Sequence, residues 1–341
     1  MLHFCQSLTH FNLFSEVDCE WLFTIGKTQS RSTNSTLIQA NQESSAIYIV
    51  LEGELAIQLP DASTHRIDQI ALGSGDLIGE TTILGHPVAP FSVVAAGDTQ
   101  VLEIPRQSLN QQLTRNRDFA ARFYRFLATK LSERLRQLSV LMAKRQVKEG
   151  EPLRKVLRVF ATLNDSDVAW LLAQGTAERA SLGTSLIEQG KAVPAIYLLL
   201  DGVLGVYINI GAGATIQEVE VAKRVKGDIL GEMSFVDGGA ASATVKTLEN
   251  AWFLSVPQST LSEKMRMDQG FASRFYQALA QIMTTRCQDL LVQGGLAHLT
   301  SESINLLSEE IEVEDELDFD VLEGTAIAGT RFDWMIQQLR R

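Results

Sequence analysis

The spacing of apolar positions changes character along the chain, and the same changes return about 150 residues later. Short apolar runs come first: Ile47-Tyr48-Ile49-Val50-Leu51 and Leu55-Ala56-Ile57 flank Glu52-Gly53, while Ile196 to Leu200 and Val203 to Ile208 flank Asp201-Gly202. An Asp-Gly between two such runs predicts a hairpin, and Glu-Gly predicts one more weakly. Seven or eight strands of this kind per half predict a compact antiparallel barrel or jelly roll. From Asp118 the pattern lengthens, with Phe119, Phe123, Phe126 or Leu127, Leu131, Leu135, Leu138 and Met142 recurring every three or four residues. That period of about 3.6 predicts one long amphipathic helix. Its counterpart runs from Phe271 through Phe275, Leu279 and Met283 to about Leu291, and Gly294-Gly295 ends it.

The two halves align residue by residue, which makes the chain an internal repeat. Phe11, Trp21, Gly26, Leu37-Ile38 and Ile47-Tyr48 match Phe160, Trp170, Gly175, Leu186-Ile187 and Ile196-Tyr197 at an offset of 149. Further on the offset is 152, pairing Gly79-Glu80 with Gly231-Glu232, Pro105 with Pro257 and Phe119 with Phe271. Three extra residues therefore lie in one loop of the second half, placed at Gly211-Ala212-Gly213. Each half opens with a helix capped at Ser15-x-x-Asp18 or Asn164-x-x-Asp167 and closed at Gly26 or Gly175. The expected organisation is a lead (1–10), a first domain (11–117), a connector helix (118–155), a second domain with its own C-terminal helix (156–293) and a tail (294–341).

Charge narrows the functional classes. The formal net charge is −11, against a binder that works by neutralising nucleic-acid phosphates. Cys5, Cys19 and Cys287 are odd in number and far apart, which fits reduced thiols in the cytoplasm better than a disulfide frame. Met1 to Leu13 shows no basic n-region or long apolar run, so a signal peptide is not expected, and no apolar stretch approaches the roughly 18 residues of a membrane span. His3, His10, His65, His86 and His298 share no metal-ligand spacing, and no nucleophile-elbow, zincin or phosphate-loop motif occurs, so neither an enzyme nor a metal site is expected.

The motif at the centre of each half is Gly75-Asp76-Leu77-Ile78-Gly79-Glu80, returning as Gly227-Asp228-Ile229-Leu230-Gly231-Glu232. Each ends a strand-like segment and opens one apolar turn of helix. A glycine and a carboxylate beside the unpaired N–H groups of a helix start can hold an anion and a hydroxyl. Together with Gly53, Gly202, Ser92-Val93-Val94-Ala95 and Ser242-Ala243-Thr244-Val245, these residues give a chain that resembles the cyclic-nucleotide-binding domain family over roughly residues 11 to 140 and 160 to 290. The resemblance implies a mainly β protein with helices: tandem jelly-roll domains joined by a long amphipathic helix.

It also implies a nucleotide-like ligand, a cyclic nucleotide being the candidate, and it assigns the ribose 2′-hydroxyl to Glu80 and Glu232. The family's phosphate-holding arginine falls at Ala89 and Ala241. Gly73 to Ile104 contains no lysine or arginine, and the second half offers Lys246. A phosphate there lacks one charge-assisted contact, ordinarily worth about 1.5–3 kcal/mol. The expected pocket residues are Gly231, Glu232, Met233, Ser242, Ala243 and Thr244 in the second half and Gly79, Glu80, Thr81 and Ser92 in the first. Pro90-Phe91 stands where the second half has a hydroxyl-rich turn, so the second pocket is expected to be the better one. On this reading Glu232→Ala silences a ligand response and leaves the fold intact.

The alternative keeps the architecture and drops the ligand, leaving a scaffold. Between Arg115 and Arg158 thirteen Lys/Arg stand against four Asp/Glu, whereas Leu307 to Glu323 carries nine acidic residues and no base. The leucine stripe of the basic connector is expected to form a homodimer seam, or else to pack on its own barrel or on the second module. The acidic tail is expected to meet the connector or a basic protein partner. Phe332, Trp334-Met335-Ile336 and Leu339 predict a short amphipathic helix suited to a groove. No helix-turn-helix is visible, so DNA is not an expected partner.

Overall fold

The computed structural model describes residues 13–60, 67–85, 88–89, 91–145, 158–211, 216–293 and 319–340. The acidic run before Phe319, the five histidines and the lead lie outside them. In the first half, helix α1 (Glu16–Ile25) precedes strands β1 (Lys27–Arg31), β2 (Thr36–Ile38), β3 (Ala46–Glu52), β4 (Leu55–Pro60), β5 (Ile67–Leu72), β6 (Leu77–Ile78), β7 (Ser92–Ala95) and β8 (Thr99–Pro105). A 3-10 turn at Glu80–Ile83 interrupts the strands, and helices α2 (Arg106–Arg115) and α3 (Arg117–Lys144) follow. The second half begins with α4 (Arg158–Thr162) and α5 (Asp165–Gln174) and repeats the order as β9 (Thr176–Ala180), β10 (Ser185–Ile187), β11 (Ala195–Asp201), β12 (Leu204–Ile210), β13 (Gln217–Arg224) and β14 (Ile229–Leu230). It closes with α6 (Glu232–Asp237), β15 (Thr244–Thr247), β16 (Ala251–Pro257), α7 (Gln258–Met267), α8 (Gln269–Gln293) and α9 (Phe319–Leu339).

Each half is a jelly roll of two four-stranded sheets, ordered β1-β8-β3-β6 over β2-β7-β4-β5 and β9-β16-β11-β14 over β10-β15-β12-β13. The Glu-Gly and Asp-Gly turns are not hairpins, contrary to the sequence pattern: β3 and β4, like β11 and β12, belong to different sheets. The turn carries the chain from one sheet to the other. Gly53 and Gly202 adopt φ of 84° and 99°, and a Cβ there would come 2.5 Å from the Asp98 carbonyl oxygen or 2.8 Å from that of Asn250. Close backbone approach, not strand pairing, is what demands glycine.

Helices fasten the rolls. Ser15 and Asn164 form capping boxes with Asp18 and Asp167, as their spacing predicts. The same aspartates then take bidentate arginines: Asp18 accepts from Arg122 on α3 at 2.5 and 3.0 Å, and Asp167 from Arg274 on α8 at 2.6 and 2.9 Å. Burial alone would raise the Asp18 carboxyl, but the Arg122 guanidinium and the Ser15 N–H outweigh it and hold it below the ordinary carboxylate value. A folded-state pKa below the unfolded one stabilises fully above about pH 4 and is lost as the pH falls through the folded value. Asp18→Asn is therefore expected to flatten the acid limb of a stability-versus-pH curve between about pH 5 and 1. An acid limb that matches the wild type would contradict the pairing.

The connector's leucine stripe is not available as a homodimer seam. Leu127, Leu131, Leu135, Leu138 and Met142 are all at most 4% exposed within the single chain. They pack on α8, whose Phe271, Phe275, Leu279 and Met283 belong to the same continuous core. Arg117 at the start of α3 lies beside Gly270 at the start of α8, so the two helices run the same way. The repeat explains this: duplicated helices in one chain bury each other's apolar faces and leave no stripe for a second copy.

The terminal helix is longer than the sequence suggests and is docked on its own second half. Ala328, Phe332, Met335 and Ile336 form the buried face, whereas Trp334, placed with them by the sequence reading, is exposed. Phe332 meets Phe160 edge to face at 5.2 Å, and Lys226 Nζ lies 5.1 Å from the Phe332 ring centre. Arg331 Nη1 donates to the carbonyls of Phe160 and Leu163, capping the end of α4, while its Nε reaches Asp165.

Candidate functional site

The Gly-Glu turns bring a carboxylate into the core of each roll. Gly79 (φ 86°) and Gly231 (φ 82°) are left-handed, and a Cβ would meet the Ala46 carbonyl oxygen at 2.9 Å or that of Ala195 at 2.7 Å. This bend directs Glu80 and Glu232 inward, where they are 3% and 4% exposed. A buried carboxylate requires a partner. In both halves the partner is an arginine of the long helix.

Arg134 Nη1 on α3 donates to Glu80 Oε1 while Nη2 donates to the Leu77 carbonyl at 2.7 Å. Arg286 Nη1 on α8 donates to Glu232 Oε1, and its Nη2 donates to the Ile229 carbonyl at 2.8 Å and lies 3.3 Å from Asp228 Oδ1. Burial works against the Arg134 charge, but Glu80 beside it outweighs that penalty and raises its pKa above the ordinary guanidinium value. In the first roll Asp76 pairs with the buried Lys130 at 3.0 Å. Cys287 sits beside these charges, and burial pushes its thiol up to about 12, so it is neutral at pH 7.

The sequence reading missed both arginines, although a signal was present. Arg134 and Arg286 each follow their glutamate by 54 residues and share the 152 offset of the repeat. Each also interrupts an apolar helix face, Arg134 between Leu131 and Leu135 and Arg286 between Met283 and Leu290.

The hydroxyls are largely engaged in the fold. Ser92 Oγ accepts from the Ala40 N–H at 3.0 Å, and Thr244 Oγ1 accepts from the Gln189 N–H at 3.1 Å, so these two occupy equivalent places and tie strands together. The register agrees, pairing Ile57 with Val93 and Val206 with Val245. Ser92 thus corresponds to Thr244, not to Ser242. Ser242 Oγ donates to Met233 Sδ at 3.6 Å. Thr81 is buried on the first turn, and Ala89 and Ala241 are buried as well. Lys246 points away from the interior, paired with Glu218 at 2.7 Å and lying over the Tyr207 ring.

The two interiors differ. The second roll encloses a cavity of about 80 Å³ bounded by Gly231, Glu232, Met233, Ser242, Ala243 and Arg286. Leu135 and Ser139 of α3 and Leu290 of α8 also line it. At the position of Ala243 the first roll has Phe91, 7% exposed and part of the main core. Among the described residues no group of three His, Cys, Asp or Glu is placed to hold a metal, and no helix is long and apolar enough to cross a membrane.

The family profile described as cyclic nucleotide-binding domain matches residues 28–116 and 177–268, one match in each roll and more than half of the chain. The chain belongs to the cyclic nucleotide-binding domain family. No curated protein matches it. Among solved structures it is similar to the regulatory domain of Toxoplasma gondii PKA crystallised with cAMP, at 17% identity, 76% of this chain, 88% of that one and a TM-score of 0.30. The regulatory subunit of a cAMP-independent protein kinase A from Trypanosoma cruzi bound to guanosine matches at 14% identity, 75% and 82% coverage and a TM-score of 0.28. The N-terminal domain of a Streptomyces coelicolor transcriptional regulator matches 39% of this chain and 92% of its own, at 23% identity and a TM-score of 0.34.

Proposed function

We propose that this tandem family member is a non-enzymatic regulatory module of the cytoplasm that takes one nucleotide-like ligand in its second roll and passes the event on through α3 and α8. The observation that carries this reading is the cavity of the second roll, which Ala243 lines at the place where the first roll buries Phe91 in the main core. Membership of the family supports the ligand class. The buried thiols Cys19 and Cys287 suit a reducing compartment.

A cavity of about 80 Å³ is well below the roughly 300–1,000 Å³ of ordinary ligand sites. Binding therefore has to widen the cavity, and Leu135, Ser139 and Leu290 of its lining sit on the two paired helices. The connection runs further. Ser132 and Arg136 of α3 hold Asp237 at 2.8 and 2.9 Å, at the far end of the helix that Glu232 begins. A ligand at Glu232 thus acts on an element that the first module grips directly.

Thermal unfolding with a panel of cyclic nucleotides and nucleosides tests this. A ligand that binds only the folded chain adds about 2.7 kcal/mol at 100 times its Kd. The small cavity and the two satisfied glutamates favour a second reading, a ligand-free scaffold, and a panel that leaves unfolding unchanged would select it.

A further inference from the structure

Arg136 of α3 reaches out of the first module and holds the second roll at two points. Its Nε and Nη2 donate to the two carboxylate oxygens of Asp237 at 2.9 and 3.1 Å, and its Nη1 donates to the Ala240 carbonyl at 3.0 Å. Ser132, one turn earlier and fully buried, donates to Asp237 Oδ2 at 2.8 Å, and Asp237 Oδ1 accepts from the Gly239 N–H at 2.8 Å. A guanidinium, a hydroxyl and a backbone N–H thus converge on one carboxylate, the arrangement in which charge-assisted bonds are strong.

The place of this contact gives it leverage. Glu232 and Asp237 are the first and last residues of α6, and Ala240 leads directly into Ala241, Ser242 and Ala243. The stretch from Gly231 to Ala243 therefore supplies both ends of one side of the cavity lining. Arg286 of α8 fixes its start, and Ser132 and Arg136 of α3 fix its middle. Leu135, next to Arg136 in the same helix, lines the cavity as well, so the contact ties together lining that belongs to different modules. Much of the remaining wall lies in the ladders β10–β15 and β12–β13, where backbone hydrogen bonds resist displacement. A cavity of about 80 Å³ is then widened most readily by parting α3 from the stretch 237–243, and this contact opposes that movement.

The repeat contains the contact once. At the offset of 152, Asp237 corresponds to Gly85, Arg136 to Gln288 and Ser132 to Thr284. Gly85 has open space where a Cβ would stand. Thr284 is 1% exposed, and its Oγ1 has no hydrogen-bond partner. A buried hydroxyl without a partner is unfavourable, and it marks the place where α8 lacks the carboxylate that α3 holds.

We infer that Ser132, Arg136 and Asp237 form a one-way autoinhibitory latch, by which the first module holds the second roll shut against its ligand. This rests on the reading of the second roll as the ligand site. The apparent affinity is then the intrinsic affinity reduced by the fraction of chains whose latch is open, and whatever draws α3 away from Asp237 sensitises the site.

Calorimetric titration of the full chain with cAMP, cGMP, adenosine and guanosine tests the latch. The proteins are the wild type, Arg136→Gln, Asp237→Ala, the double variant and Arg122→Gln, a control that removes an arginine of α3 engaged with Asp18 inside the first module. Glutamine is the residue α8 carries at the place of Arg136. Arg136 and Asp237 are 26% and 13% exposed, so water reaches the group left behind and the variants stay folded. Both latch variants should bind about 5–30-fold more tightly than the wild type, the effect of releasing one partly exposed charge-assisted contact. The double variant should gain no more than either single one, because both break the same contact, and Arg122→Gln should bind as the wild type does. A wild type too weak to titrate beside latch variants that bind is the same result at its limit. Unchanged or weaker binding by the latch variants, where the wild type binds, overturns the latch and leaves the pocket assignment standing. Equal tightening by Arg122→Gln also overturns it, since loosening α3 anywhere would then suffice. Failure of every protein to bind any of the four overturns the pocket assignment and this inference with it.

Discussion

Glu232→Ala is expected to destabilise the second roll by about 3–5 kcal/mol, because it leaves the Arg286 guanidinium buried with its main counter-charge removed. The glutamate is 4% exposed and the arginine 7%, so water cannot take over the solvation. Arg286→Ala should cost a similar amount by leaving Glu232 and Asp228 facing each other. Replacing both partners with Glu232→Gln and Arg286→Met should cost less than either single truncation, since breaking a buried pair is worse than replacing it. Denaturant unfolding of the wild type and the three variants compares these costs. Single losses below about 1 kcal/mol, the range of exposed pairs, would contradict the ion pair. The sequence alone implies that Glu232→Ala is silent for the fold; the arginine reverses that expectation, and a binding defect in this variant has to be separated from its unfolding.

Phe332→Ala should detach the terminal helix. The ring is 1% exposed, set edge to face against Phe160 and covered by Lys226, and deleting a buried phenylalanine costs about 3–5 kcal/mol. A single helix of 21 residues held by one apolar face and the Arg331 cap has little else to replace it. The loss should be local: amide exchange across 326–340 should rise to that of an unpacked helix, while β11 and β16 keep their protection. Uniform loss across the second roll would mean that α9 is an integral part of the core rather than a docked segment. Unchanged protection would contradict the packing itself. Lys226 lies two residues before Asp228, a carboxylate near Arg286, so docking of α9 bears on the turn that leads into the cavity.

The repeat carried most of the architecture in the sequence. Offsets of 149 and 152, the capping pairs Ser15-Asp18 and Asn164-Asp167, and the 3.6-residue period from Phe119 are local patterns, and each has a direct structural cause. What was illegible depends on residues far apart in the chain. Glu52-Gly53 reads as a hairpin because the turn chemistry is the same for a hairpin and for a crossing between sheets; the Cβ contact with Asp98 that distinguishes them is tertiary. The stripe Leu127 to Met142 reads as a dimer seam because sequence shows that an apolar face needs a cover without showing which one. That the cover is the second copy of the same helix follows from the repeat once it is seen. Arg134 was hidden in the general basicity of the connector, and Arg286 went unread as its repeat, although an arginine set in a buried apolar stripe must find an acid.

The central claim is that one roll of the two is open to a ligand. Native mass spectrometry of the full chain, purified gently and then titrated with the nucleotide panel, measures it directly. One ligand per chain, absent from Ala243→Phe, is the predicted result. Two ligands per chain would contradict the closure of the first roll by Phe91, and a chain that stays empty throughout the titration would contradict the opening of the second.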